Sequence, residues 1–71
     1  MKTLTLRAGE DFIKLGQLLK AAGLVDTGAD AKYAVEEGKV LVNGEVCTMR
    51  GKKIRPGDRV SFCGTELAVT K

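Results

Sequence analysis

The chain has 71 residues, enough for one domain with a thin core, because folding at that size buries only roughly 60% of the surface of the unfolded chain. Apolar residues make up 44% and charged residues 30%, which excludes a disordered or low-complexity segment. Histidine is absent, and with it the commonest general base near neutral pH and the commonest imidazole ligand. Cys47 and Cys63 form no Cys-x-x-Cys pair. The composition therefore leads us to expect no catalytic residue, no metal and no cofactor, and two reduced thiols in a cytoplasmic protein. The net charge is +3, and its distribution is uneven. Residues 39–59 hold Lys39, Arg50, Lys52, Lys53, Arg55 and Arg59 against Glu45 and Asp58, whereas the flanking stretches are close to neutral. Positive charge gathered in one stretch favours a polyanionic partner.

In chain order, Leu4 and Leu6 alternate with Thr3 and Thr5, predicting a short strand with one buried face. The same stretch meets a charge before any long apolar run, so neither a signal peptide nor a membrane span is expected. After a turn at residues 8–11, Leu15, Leu18, Leu19 and Ala22 fall at helical spacing. Phe12 is expected as a lead-in contact, with Lys14, Gln17 and Lys20 near the opposite face. Gly23 is placed to end this helix with positive φ. Thr27 is a good N-cap with Asp30 three positions on, and Ala31, Ala34 and Val35 mark the inner face of a second helix that stops at Gly38. Val40 and Val42 before Asn43-Gly44 predict a hairpin with a type I′ turn. Residues 48–53 read as a basic loop whose far side is anchored by Ile54. Arg55-Pro56-Gly57-Asp58 reads as a turn with proline at its second position. Residues 60–62 and 67–69 alternate again as strands around a short turn at Gly64. The expected fold is α+β, with two short helices packed on one face of a small, mostly antiparallel sheet.

Two helices followed by Gly38-Lys39-Val40-Leu41-Val42-Asn43-Gly44, and then by Pro56-Gly57-Asp58-Arg59-Val60, resemble a known module. It is the RNA-binding domain named after the fourth protein of the small ribosomal subunit, the S-four domain. The likeness covers about residues 13–62 of what is expected to be a single domain over 1–71. Residues 13–20 and Asp26-Thr27-Gly28 look more like the short stand-alone bacterial YbcJ-like branch. The resemblance implies binding of structured RNA, duplex or junction and often ribosomal or transfer RNA, with no catalysis and no small-molecule substrate. It allows association with the ribosome. In the family, the two helices and the loop after the hairpin form the RNA-facing surface. Carried over by position, that surface comprises Lys14, Lys20, Gly28, Lys32, Asn43, Arg50, Lys52, Lys53 and Arg55. Two departures stand out: Gly16 where the family commonly has aspartate, and Thr27-Gly28 where it commonly has Ser-Arg. Losing that arginine removes a phosphate contact.

Each assignment competes with a plainer one. Lysines on a helix or in a loop are often only solvated, and Asn43 suits a turn through its tolerance of positive φ. Arg59 alternates outward on its strand and stays outside the expected site. Tyr33, the only tyrosine, is read either as stacking on an unpaired base or as packing between helix and loop. The start of each helix, near Leu15 and near Gly28, is expected to offer backbone N–H groups to a phosphate. An adaptor whose basic face meets an acidic protein is the alternative to an RNA-binding module. Glu36-Glu37 at the end of the second helix argues against reading the major groove of DNA.

Overall fold

The structure is a computed structural model that describes residues 2–71. Nine elements follow in order: β1 (Lys2–Thr5), β2 (Ile13–Lys14), α1 (Leu15–Ala21), α2 (Gly28–Glu36), β3 (Val40–Val42), β4 (Glu45–Val46), β5 (Lys53–Ile54), β6 (Arg59–Phe62) and β7 (Thr65–Thr70). Five strands form one sheet in the order β1-β7-β6-β3-β4, and β2 pairs with β5 in a separate two-stranded ribbon. All pairings are antiparallel except β1 with β7, which run parallel at the edge.

Alternation along the strands builds the core. Val42, Val60 and Leu67 stand opposite one another across β3, β6 and β7 and are all buried. Val40 and Val69 are buried on their strands as well, and Leu15, Leu18 and Leu19 of α1 and Ala31, Ala34 and Val35 of α2 join the same apolar cluster. The two helices thus cover one face of the sheet, and the small side chains of Ala31 and Ala34 let their backbones approach. Ala22 lies just past the end of α1, half-buried against this cluster.

Local chemistry sets the ends of the elements. The Thr27 hydroxyl accepts the Asp30 N–H at 3.1 Å and caps α2, with the Asp30 carboxylate in the first turn, where it favours the positive helix end. Gly38, at φ 73°, lets its own N–H and that of Lys39 reach back to the Val35 and Ala34 carbonyls and close the helix. Two hairpins turn through two residues each, and both follow the pattern expected for Asn43-Gly44. Asn43 and Gly44 have φ 51° and 86°, and Cys63 and Gly64 have φ 50° and 80°.

Three features were not expected from the sequence. Residues 13–14 form a strand where a helix lead-in was anticipated, and residues 53–54 leave the basic loop to pair with it. The first strand joins the sheet parallel to the last, tied by a Thr5–Thr70 hydroxyl contact at 3.2 Å. The second hairpin places a cysteine, not only a glycine, in the left-handed region. Both cysteines are free thiols, Cys63 exposed and Cys47 half-buried.

An L-residue other than glycine, asparagine or aspartate pays for left-handed backbone, and Cys63 is exposed, so its side chain contributes little packing. Cys63→Asn should therefore stabilise the fold by up to about 1 kcal/mol. The measurement is a urea melt under reducing conditions, in which the midpoint should rise.

Candidate functional site

The ribbon of β2 and β5 decides where the basic segment lies. Ile13 stands opposite Ile54, and Ile54 is completely buried. Beyond the ribbon, the Leu15 N–H donates to the Lys52 carbonyl at 2.9 Å and the Gly16 N–H to the Arg50 carbonyl at 3.0 Å. Residues 49–52 turn tightly, with the Lys52 N–H donating to the Met49 carbonyl at 3.1 Å. The turn is thereby stitched onto the first turn of α1. A Cβ on Gly16 would meet Arg50 at 3.5 Å, an ordinary contact, so the approach is close without requiring glycine.

This stitching leaves a shallow groove of about 390 Å³ between α1, the start of α2 and the 49–52 turn. Lys14 and Lys20 line it from one side and Arg50 with Gly51 from another. Gly28 and Ala31 line it from α2. Lys14, Lys20 and Arg50 are all exposed. Among the described residues the one ion pair joins Arg59 to Glu66 at 3.8 Å, so no carboxylate lies within ion-pair distance of the groove cations. Gly28 is the first residue of α2, and by helix geometry its N–H has no intrahelical acceptor. A Cβ there would meet nothing within 4 Å, so the position is open space.

Of the expected residues, Lys14, Lys20, Gly28 and Arg50 come together in this groove. Lys53 sits next to them, directly across the ribbon from Lys14, with its ammonium 5.0 Å from the centre of the Phe12 ring. Lys32 is exposed on α2, one residue past Ala31, and does not line the groove. Lys52 lines a different depression, beside Val46 and Met49.

Asn43 and Arg55 belong to another cluster. The Asn43 amide donates to Asp58 Oδ1 at 3.1 Å, and its carbonyl oxygen accepts the Arg59 N–H at 3.0 Å. Asp58 Oδ2 accepts the Arg55 N–H at 2.8 Å. Asn43 thus spends its side chain pinning the first hairpin turn to the 55–58 turn, which is a role in the fold. Asp58 is held below its ordinary value of 3.8, chiefly by the Arg55 N–H; partial burial opposes this, and the Asn43 amide and the charges of Lys52 and Arg55 reinforce it.

Two further expectations are corrected. The first N–H groups of α1 are taken by the 49–52 turn, so only α2 presents an open helix start at the groove. Tyr33 does not pack between helix and loop: it is 61% exposed, with the Lys39 ammonium 5.5 Å from its ring centre. Gln17, expected near the outer face of the first helix but left out of the expected site, also lines the groove between Lys14 and Lys20. The signal was the three-residue spacing of 14, 17 and 20, which places them along one side of the helix. Among the described residues no cluster of cysteine, aspartate and glutamate could hold a metal ion, and no helix is long and apolar enough to cross a membrane.

The model of the S4 domain family matches residues 6–70. YbcJ of Escherichia coli K12, named a candidate RNA-binding protein, is 44% identical over 57 residues, which is 80% of this chain and 81% of that one. RlbA of Bacillus subtilis, named a candidate ribosome maturation protein, is 43% identical over 54 residues, 76% of each chain. The solution structure of E. coli YbcJ, described as revealing an ALFAL motif involved in RNA binding, superposes with a TM-score of 0.74 at 39% identity, covering 100% of this chain and 89% of that one.

The Asp58 cluster gives a pH prediction. Its folded carboxyl titrates below the unfolded one, so its contribution to stability is complete above the ordinary carboxylate range. It is lost as pH falls through the folded value. Asp58→Asn should lower the melting temperature at neutral pH and flatten its fall below about pH 4, measured by thermal melts across an acid series.

Proposed function

The chain belongs to the S4 domain family, and on that premise we propose that it binds structured RNA, duplex or junction, through the groove between α1, α2 and the 49–52 turn, without catalysing a reaction. The observation that carries this reading is the groove's charge: Lys14, Lys20 and Arg50 share one concavity with no acidic neighbour within ion-pair reach. Lys14 and Lys53 add to it, because like charges directly opposite on paired strands repel. A polyanion lying across the ribbon offsets that repulsion.

The chemistry suits A-form RNA. Its deep groove hides base edges from side chains, so recognition falls to shape and to the phosphates and 2′-hydroxyls. Lysine supplies a mobile point charge, and the arginine fork can grip two phosphate oxygens. The open start of α2 at Gly28 adds a backbone N–H donor beside these cations. The names of the relatives support RNA as the ligand, and that of RlbA favours the maturing ribosome, hence ribosomal RNA, as the setting. Lys32 flanks the groove on α2, and Lys52 and Arg55, on the far side of the turn, contribute to the field more than to contact.

The test is binding to ribosomal RNA fragments across a salt series. Lys14→Ala with Arg50→Ala should weaken binding by about ten- to a hundredfold and reduce the slope of log K against log salt by about two. The melting temperature should stay within a few degrees, since both side chains are exposed. Lys52→Ala with Arg55→Ala should cost less. Undiminished binding by the first pair would overturn the groove as the site. Gly28→Arg fills open space with the family's commoner residue and should tighten binding while steepening the slope by about one.

A further inference from the structure

On the other side of α1 lies a second depression of about 390 Å³, and Gln17 and Lys20 line both it and the groove. The two hollows are therefore neighbours across the solvent-facing side of one helix. Their characters differ. The groove carries three cations, no carboxylate and several small residues, whereas the second hollow is mixed: Leu4 and Ile13, with the buried Leu6 beneath, lie beside Arg7, Lys20, Gln17 and Glu10. Arg7 and Lys20 are exposed, and neither is held in an ion pair among the described residues. Glu10 Oε1 accepts the Arg7 N–H at 3.2 Å, which fixes the rim and leaves the other carboxylate oxygen available as an acceptor.

We propose that this hollow receives a single unpaired nucleotide, extruded from the RNA whose helical part lies in the adjoining groove. The inference rests on the RNA-binding reading and adds to it a preference for an interrupted duplex. An unstacked base has two apolar faces and a hydrogen-bonding edge, and proteins read such bases by contact with the faces and by polar groups at the edge. Leu4 and Ile13 offer the apolar surface, the Gln17 amide both donates and accepts, and Arg7 with Lys20 neutralises the flanking phosphate. The volume falls within the range of about 300–1,000 Å³ typical of small-ligand sites. No aromatic residue lines the hollow, so it lacks the stacking surface that binds successive bases of a single strand, and one nucleotide is the occupant that fits.

The experiment compares two short RNA hairpins that differ only in one bulged adenosine, titrated by fluorescence anisotropy at fixed salt. The intact protein should bind the bulged hairpin about tenfold more tightly, the effect of taking roughly 60 Å² of apolar base surface out of water. Arg7→Ala should bring the ratio between the two RNAs close to one, and Lys14→Ala with Arg50→Ala should weaken both RNAs while keeping the ratio. Equal affinity of the intact protein for the two hairpins overturns this inference and leaves the groove reading standing. So does a preference that survives Arg7→Ala. Failure of both hairpins to bind overturns the inference and the groove reading together.

Discussion

The pairing of Ile13 with Ile54 is the contact on which the candidate site depends. It is only two residues long, and an isolated ribbon of that size has no stability of its own. It persists because Ile54 is sealed in the core and because α1 begins where the ribbon ends, so that the Leu15 and Gly16 amides find acceptors in the turn. Those amides are orphans of helix geometry and need a partner. Satisfying them with the carbonyls of Lys52 and Arg50 anchors a polar, basic segment that would otherwise be free to move. The positions of Arg50 beside Lys14, and of Lys53 across from it, follow from this one arrangement.

A division of labour follows among side chains that look alike in the sequence. Basic residues at 50, 52, 53 and 55 lie within one short stretch, yet the turn distributes them to different surroundings: Arg50 to the groove, Lys52 to the hollow beside Met49, Lys53 to the Phe12 ring and Arg55 to the Asp58 turn. Asn43 and Asp58 hold the opposite end of the sheet by joining two turns through both ends of an amide. Rigidity at that end keeps β3 and β6 in register, and these strands carry the apolar row that supports the helices.

Much of the fold was legible. The Leu15–Leu19 stripe, the Thr27 cap, the glycines at 23 and 38 and the Asn43-Gly44 hairpin each act locally, and each appears where its chemistry places it. The S4 resemblance rested on the same local strings. What the sequence withheld is non-local. Neither Ile13-Lys14 nor Lys53-Ile54 is long enough to show a strand period, and their pairing shows only once the chain has folded. The parallel seating of β1 against β7 depends on partners at opposite ends of the chain. For the site, charge and position pointed to Lys14, Lys20, Gly28 and Arg50, but periodicity carries no sign that the turn would occupy the start of α1. Asn43 fitted both a turn and a ligand contact, and only its bonds to Asp58 and Arg59 distinguish the two.

The parallel edge strand also bears on the order of assembly. Thr5 meets Thr70 across a separation of 65 positions, and contacts that distant are made only after the loop-closure entropy has been met. On a translating ribosome, β1 emerges first and waits for β7 to be synthesised. The helices and the β3–β6 pair have to collapse without it. A strand translated before the rest of the sheet is thus among the last to take its place, which leaves the flank of β7 open to mispairing during biogenesis.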